Sequence, residues 1–333
     1  MNSIALPHTC SSLTLESGHV VLLKQTGLLS LDGEDAVQFI HNQLSNDILH
    51  LGASQARLAA YCNPQGRILA LFNAWKSGGK VWLTVPRDIL PALQKRLQMY
   101  ILRSKVQLAD ESANWVILGI GGEKGGEALS KWFDPLPAEP FGKTENGHGV
   151  LVRVADAFGY PRYLLTVQEE RLQEVEGELS SILSVCDENG WTMGDIRAGV
   201  PQITLPVQDR FIPQMVNLEQ AGGLSFKKGC YPGQEVVARS QYKGTVKRRM
   251  YHGMVELPFE ENPSVDVNMT AGADIVDQAG QPCGTIVSSA RRDKGRVDFL
   301  AVVQTEAIGK EALRSERADG PLITWIPLPY PLP

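Results

Sequence analysis

The sequence lacks the short motifs that identify the commonest nucleotide-dependent and hydrolytic enzymes. Its 333 residues contain no Gly-x-Gly-x-x-Gly after an apolar strand, no Walker loop, no His-Glu-x-x-His and no Gly-x-Ser-x-Gly. Such motifs build phosphate cradles, zinc sites and nucleophile elbows, so their absence argues against those classes of enzyme.

Cysteine is scarce and scattered. The chain has five cysteines, none in a Cys-x-x-Cys pair: Cys10, Cys62, Cys186, Cys230 and Cys283. An odd number at wide spacing argues against a disulfide framework and against a self-contained zinc or iron–sulfur site. A reducing compartment is therefore expected.

Long apolar runs and a strong net charge are also missing. No segment reaches the roughly 18 continuous apolar residues of a membrane helix. Residues 1–25 contain Glu16 and no Arg, which is untypical of a signal or transit peptide. We therefore expect a cytoplasmic protein without a membrane segment. The net charge of −5 excludes a molecule that binds polyanions over its whole surface.

One segment is basic. Residues 227–249 carry seven positive side chains and only Glu235 as a negative one, a net +6; the positive ones are Lys227, Lys228, Arg239, Lys243, Lys247, Arg248 and Arg249. They either face water as an ordinary solvated surface or dock an anion, such as a polyglutamate tail, a phosphate backbone or an acidic partner.

Hydrophobic periodicity predicts an α+β protein. Between residues 58 and 108 the pattern is β-β-β-α-β, and residues 114–200 repeat a mixture of strands and helices. Residues 144–149 and 194–201 have the composition of loops. From about Gly244 short strands follow one another, which indicates a small β-barrel or sandwich.

The segment Phe226-Lys227-Lys228-Gly229-Cys230-Tyr231-Pro232-Gly233-Gln234-Glu235 is the most informative in the chain. Neighbouring lysines favour the thiolate, which is the reactive form of cysteine. Lone cysteines are also often buried as small hydrophobes. Cys230 is therefore either a reactive group or a packed corner.

Other residues could complete a ligand site. Gln234 and Glu235 have the donors and acceptors to match a heterocycle edge, or they cap the next element. Trp191 and Tyr231 could stack a flat ligand, although such side chains are commonly core. Asn217, in the segment 211–218, could line a cleft.

Several segments together resemble the YgfZ family of folate-binding proteins, which belongs to the superfamily of the glycine-cleavage T protein, an aminomethyltransferase. The resemblance rests on the sequences of residues 211–217 and 222–239, on segments 40–47 and 63–66, and on residues 191–201 and 326–330.

The resemblance implies a three-domain cloverleaf. Two α+β domains would comprise residues 1–50 with 113–202, and residues 51–112 with 203–243, the second carrying the motif 228–235. A C-terminal β-barrel would comprise residues 244–333.

The resemblance also implies tetrahydrofolate as cofactor and a role in assembly or repair of iron–sulfur enzymes, including enzymes that modify tRNA. Cys230 would be the functional thiol, with Lys228 beside it. The residues expected to bind folate are Trp191, Arg197, Asn217, Tyr231, Gln234, Glu235 and Arg239.

Two departures separate this chain from the T proteins. Where these have a pair of aspartates after the turn 63–66, this chain has Ala70 and Leu71, which cannot accept or orient a proton. Where the superfamily commonly has a glutamate before Ala-Gly in the pterin site, this chain has Arg197, so either another acid such as Asp195 takes over or folate binding is weaker or altered.

Two alternatives stay open at this stage. One is a folate-dependent aminomethyl transferase, against which the lost aspartates argue. The other is a non-catalytic adaptor that docks a partner protein or tRNA through residues 227–249.

Overall fold

The computed structural model describes residues 8–242, 244–257, 269–310 and 312–332. As predicted, the fold is α+β, with helices packed on three sheets. The helices are α1 (Ser12–Ser17), α2 (Ala36–His41), α3 (Leu90–Gln98), α4 (Gly125–Ser130), α5 (Leu172–Leu179), α6 (Glu188–Arg197) and α7 (Gln234–Tyr242).

The described part of the chain contains seventeen strands. They are β1 (His19–Leu22), β2 (Thr26–Asp32), β3 (Ala56–Cys62), β4 (Ile68–Ser77), β5 (Lys80–Pro86), β6 (Gln107–Asp110), β7 (Trp115–Gly121), β8 (Lys143–Asn146), β9 (Gly149–Ala157), β10 (Tyr160–Gln168), β11 (Ser184–Cys186), β12 (Arg248–Glu256), β13 (Asp274–Val276), β14 (Pro282–Arg291), β15 (Arg296–Gln304), β16 (Arg314–Ser315) and β17 (Ile323–Ile326).

The first two sheets form the body of the molecule. One has the order β11-β1-β7-β10-β9-β8, and the other has the order β3-β4-β5-β2-β6. In the second sheet alternate side chains face opposite sides. Ala70 and Phe72 of β4 pack with α2 and α3, whereas Leu71 points into the core between the sheets.

The pairing of β2 crosses the predicted division between residues 1–50 and residues 51–112. β2 is hydrogen-bonded to β5 and β6, and Ala36, Phe39 and Ile40 of α2 pack in the same cluster as Phe72. Residues 26–41 therefore lie with residues 56–110. From the N-terminal region, β1 joins the other sheet, where it pairs with β7 and β11. The three-domain division itself stays a prediction.

The C-terminal strands form one curled six-stranded antiparallel sheet of order β16-β13-β14-β15-β12-β17. β15 is buried along most of its length. Phe299 and Ala301 face the sheet's own core, while Leu300 and Val302 face the rest of the molecule. This two-sided burial attaches the sheet to the body.

Helix α6 lies between the first sheet and the C-terminal sheet, and five of its ten residues are buried. The close approach depends on glycine, because a Cβ at Gly119 of β7 would overlap the ring of Trp191. The predicted loop 194–201 is thus partly wrong, since α6 continues to Arg197. Packing against a sheet on each side of α6 holds Gly190 and Gly194 in the helical conformation.

Two other predictions need correction. Residues 143–157 form the β8–β9 hairpin, although 144–149 had the composition of a loop. Cys10 and Cys186 form a disulfide, although the cysteine pattern argued against one. The N-terminal segment runs parallel to β11, with a bridge from His8 to Cys186, and this brings together two cysteines 176 residues apart.

No helix among the described residues combines the length and the apolar character needed to cross a bilayer.

Candidate functional site

A cavity opens between the two body sheets and α6. It encloses about 1010 Å³ of empty space, its open mouth included. Leu71 and Asn73 of β4 line one wall, and Leu164 of β10 lines the opposite wall. Trp191 and Asp195 enter from α6, because residues three to four apart on a helix share a face. The lining is apolar with a few convergent polar groups, which is typical of small-molecule sites.

The polar centre of the cavity is Asp195. One carboxylate oxygen accepts a hydrogen bond from Arg162 Nη2 at 2.7 Å, and the other accepts one from Gln202 Nε2 at 2.7 Å. Both neighbours also line the cavity. Each oxygen of a carboxyl group has two lone pairs, so Asp195 retains acceptor capacity toward a ligand.

Arg162 also determines how Trp191 meets the cavity. Its guanidinium carbon lies over the indole ring, 3.9 Å from the ring centroid, and this cation–π contact covers one face of the ring. The predicted stacking of a flat ligand on Trp191 is therefore blocked at that face of the ring. Arg162 is itself buried, and its Nε has no hydrogen-bond partner.

A second carboxylate, Glu188, lies at the first turn of α6 and also lines the cavity. Its Oε1 accepts a hydrogen bond from the backbone N–H of Gln25 at 2.8 Å. Burial raises the pKa of Glu188, although the hydrogen bond opposes the shift. The cavity thus has two carboxylates in different environments.

A loop bearing Cys230 (residues 226–233, the cysteine loop) lies outside the cavity wall. The buried ammonium of Lys228 anchors it by donating to the carbonyl oxygens of His41 and Leu44, at the end of α2. Burial lowers the pKa of Lys228 to about 8. Lys228 also lies over the ring of Tyr231, 5.1 Å from its centroid.

The segment 40–47 supports the residues that lead into this loop. Ser45 Oγ donates to the carbonyl oxygen of Gly223 at 2.7 Å. Asn46 Nδ2 bonds the carbonyl oxygen of Gly222 at 2.8 Å. The turn 63–66 supports the other end, because a Cβ at Gly233 would lie 2.6 Å from Gly66 Cα. Three sequence segments that are distant along the chain therefore meet around one loop.

Cys230 is the exposed free thiol among the described residues. The thiols of Cys62 and Cys283 are buried, and burial raises the pKa of Cys62 to about 12. Since the thiolate is the reactive form, external reagents should meet Cys230 first.

Sequence relatives cover nearly the whole chain. It is 30% identical over 307 residues to the tRNA-modifying protein YgfZ of Edwardsiella ictaluri, covering 91% of this chain and 89% of the relative. It is also 30% identical over 318 residues to the tRNA-modifying protein YgfZ of Yersinia pseudotuberculosis, covering 94% and 92%. The chain belongs to the YgfZ family.

A solved structure supports the fold of this YgfZ family member. The glycine cleavage aminomethyltransferase T of Bartonella henselae matches with a TM-score of 0.73 at 17% identity, over 94% of this chain and 86% of that one. At this identity the match shows the fold alone. No family model matches the chain.

The YgfZ chain places only one predicted folate residue, Trp191, in the cavity wall. Tyr231 is buried beside Lys228, and burial raises its pKa. Gln234 begins α7, while Glu235 and Arg239 are exposed on it. These residues surround the cysteine loop and do not join Trp191.

Arg197 and Asn217 form contacts between parts of the fold. Arg197 Nη2 lies 3.4 Å from Asp298 Oδ2 of β15, on the opposite side of α6 from the cavity. Asn217 has left-handed backbone angles and donates from Nδ2 to the carbonyl oxygen of Met250 at 2.8 Å. Their predicted roles in folate binding stay predictions, and the contacts in this structure are structural.

The basic segment is not one continuous surface. Lys228 is buried, and Arg249 is buried and paired with Glu219. Lys227, Arg239 and Lys247 are exposed. Lys243 lies outside the described residues. A count of charge along the chain could not separate internal cations from external ones.

Sequence reasoning missed Arg162, Glu188 and Gln202. Glu188 and Asp195 are spaced seven residues apart, so once α6 is recognised they fall on one face with Trp191. Arg162 and Gln202 come from separate elements and carry no local motif, so only the packing reveals them.

Proposed function

We propose that this protein binds tetrahydrofolate in the cavity and, in the cytoplasm, supports assembly or repair of iron–sulfur enzymes, including tRNA-modifying ones, through Cys230. The observation that carries the proposal is a polar-centred cavity on an aminomethyltransferase fold combined with an exposed, anchored thiol outside it. Membership in a family whose members are named tRNA-modifying proteins supports it.

The cavity residues fit a flat heterocycle with a polar edge. Leu71, Leu164 and the indole edge of Trp191 offer apolar contact. Asp195 would accept N–H groups, and the amide of Gln202 would donate or accept. Arg162 orients the Asp195 carboxylate through the contact at 2.7 Å. Bound tetrahydrofolate would supply a one-carbon acceptor or a structural clamp.

Cys230 would act on a partner rather than on the cavity ligand. It does not line the cavity among the described residues, and its thiol is exposed on an anchored loop. Such a thiolate can attack a partner disulfide, so that a mixed disulfide forms while the partner's other sulfur leaves as a thiolate, or it can hold a cluster intermediate. Lys228 would keep the loop in place during either step.

Aminomethyl transfer has less support. Leu71, at one of the positions where T proteins have the aspartate pair, is on the cavity wall, whereas Ala70 packs on the other face of the sheet. An isobutyl group cannot orient a proton at the reacting centre. Turnover of an aminomethylated substrate would be needed to support this activity.

Calorimetric titration with tetrahydrofolate tests the cavity. We expect micromolar binding by the wild type, weakened by Trp191→Ala and by the gentler Asp195→Asn, and unchanged in Cys230→Ala. Circular dichroism would verify that each variant is folded. If the wild type does not bind, or if folded Asp195→Asn and Trp191→Ala bind like wild type, the cavity is not the folate site.

Complementation tests the thiol. In cells lacking the endogenous protein, Cys230→Ala should not restore the activity of an iron–sulfur tRNA-modifying enzyme, although it is folded and binds folate. Cys283→Ala, which removes a buried thiol instead of an exposed one, is the matched control and should restore activity. Full restoration by Cys230→Ala would contradict the proposed role.

A further inference from the structure

Helix α7 and the cysteine loop form an exposed surface whose apolar residues have no role in the cavity. We call this the α7 surface. It consists of Phe226, Lys227, Cys230, Val236, Arg239 and Tyr242.

The α7 helix is poorly covered by the rest of the chain. Val237 is the one buried residue among its nine, whereas isolated helices of this length are marginal in water and depend on packing. Val236 is 39% exposed, Phe226 is 37% exposed and Tyr242 is 70% exposed. Grouped exposed apolar residues are typical of interaction sites.

The surface is held in place before any partner arrives. Phe226 and Tyr242 pack edge to face, with ring centroids 5.8 Å apart. Val236 packs against the turn 63–66, since a Cβ at Gly66 would lie 3.0 Å from Val236 Cβ. With Lys228 anchoring the loop, a partner has little conformational entropy to remove.

The charge around the surface is positive. Lys227 and Arg239 are exposed on it, and Arg67 is exposed beside Gly66. Glu235 is the exposed acid of α7 among the described residues. The excess of positive charge is local to this surface, because the whole chain has a net charge of −5. Charge complementarity therefore favours an acidic partner.

We propose that the α7 surface docks an acidic protein segment with an apolar anchor and presents that segment's sulfur to Cys230. Phe226, Val236 and Tyr242 would contact the anchor, while Lys227 and Arg239 would pair with its acids. A nucleic acid fits less well, because Phe226 and Tyr242 meet at an interplanar angle of 68° and offer no open parallel platform for base stacking. This inference rests on the proposed role of Cys230.

Disulfide-activated peptides test this docking directly. Three synthetic 12-residue peptides would each carry one cysteine bonded to 5-thio-2-nitrobenzoate. One is rich in Asp and Glu with a Leu anchor, one replaces the acids by Lys, and one replaces the Leu by Ser. The Cys230 thiolate attacks the peptide sulfur, the new disulfide forms and thionitrobenzoate leaves with the electron pair, so absorbance gives the rate. Alkylation by neutral iodoacetamide corrects for intrinsic thiol reactivity.

The acidic Leu peptide should react about tenfold faster than the Lys peptide at low salt, and the advantage should shrink with added salt. Lys227→Glu with Arg239→Glu should abolish the charge preference. Phe226→Ala with Tyr242→Ala should abolish the preference for Leu over Ser. Lys294→Glu and Leu322→Ala, which alter exposed side chains of the C-terminal sheet, are the matched controls and should retain both preferences.

Equal corrected rates for all three peptides would overturn the proposal, as would preferences that persist in the α7 variants. Binding of a fluorescent single-stranded RNA 12-mer that the α7 variants abolish, without any peptide preference, would also overturn it by assigning the surface to RNA. Each of these results is separate from the complementation outcome for Cys230→Ala, so this inference and the proposed function can fail independently.

Discussion

The two helices next to the proposed functional groups are built in opposite ways. α6 buries five of its ten residues between two sheets and carries Trp191, Glu188 and Asp195 into the cavity. α7 buries one of its nine residues and follows the loop that carries Cys230. A ligand cavity needs walls that do not move, and packing on both sides supplies them. A docking surface needs an exposed face, so it has to be held by a few anchors instead.

The free energy of unfolding should be most sensitive to changes on the side of α6 that faces the C-terminal sheet. Asp298 is fully buried, and its Oδ2 is 2.6 Å from Arg292 Nη2, 3.1 Å from His252 Nε2 and 3.4 Å from Arg197 Nη2. Asp298→Asn should lower the free energy of unfolding by about 3 kcal/mol, because it leaves the partly buried guanidinium groups of Arg292 and Arg197 without their counter-charge. Urea unfolding measures this.

The exposed pair of Asp293 and Arg296 is the control for that experiment. Asp293→Asn should have only a small effect, because water screens an exposed ion pair. If the two aspartate variants were equally stable, the buried cluster would not be what attaches α6 to the C-terminal sheet.

Lowering the pH should destabilise the packing around α6, because His19 becomes protonated. This side chain is fully buried beside Arg162, its Nδ1 contacts the carbonyl oxygen of Leu15 at 2.9 Å, and burial lowers its pKa from 6.5 to about 4. The unfolded chain therefore binds a proton first as pH falls. His19 stabilises the fold above pH 6.5, and about 3 kcal/mol of this is lost as pH falls toward 4.

Urea midpoints at pH 7 and pH 4.5 measure this loss, with His19→Gln as the comparison variant, whose stability should depend less on pH. His50→Gln, at an exposed histidine that pairs with Asp47, is the control and should alter the pH dependence much less than His19→Gln does. An unchanged pH dependence in His19→Gln would show that other groups are responsible.

Close packing of α6 on β7 can be tested at a single glycine. Gly119→Ala should cost about 1–3 kcal/mol of stability, because the added methyl group overlaps the Trp191 ring. It should also weaken folate binding by displacing that ring. Thermal unfolding and calorimetry measure the two effects.

Gly126→Ala in α4 is the matched control. Its Cβ would lie 3.5 Å from Leu136 Cδ1, an ordinary contact, so the helix should gain about 0.5–1 kcal/mol from the lost chain entropy. Equal stability changes at the two glycines would rule out a tight α6–β7 contact.

The smallest stability effects belong to α7. Tyr242→Ala should change the free energy of unfolding by no more than about 0.5 kcal/mol because its side chain is 70% exposed, and Val236→Ala, at a side chain 39% exposed, by no more than about 1 kcal/mol. The same changes should still impair recognition of the acidic peptide. Urea unfolding measures the stability, and a loss comparable to that at Gly119 would show that α7 is part of the core.

Much of the protein follows from its sequence. The α+β class, most strands of residues 58–108 and the all-β C-terminal region follow from apolar periodicity, because local patterns determine which face of an element can be buried. The segments 40–47, 63–66 and 222–235 were also identified in the sequence as parts of one family pattern. Their meeting around Cys230 agrees with the length and specificity of that pattern.

The tertiary structure decided what depends on partners distant along the chain. The sequence of β2 is compatible with either body sheet, and its hydrogen bonds to β5 and β6 place it in the second one. Cys10 met Cys186 only because the N-terminal segment lies along β11. Arg197 lies on the side of α6 that faces β15, where its guanidinium contacts Asp298. Sequence determines which side chains are available, and packing between remote elements determines which of them meet.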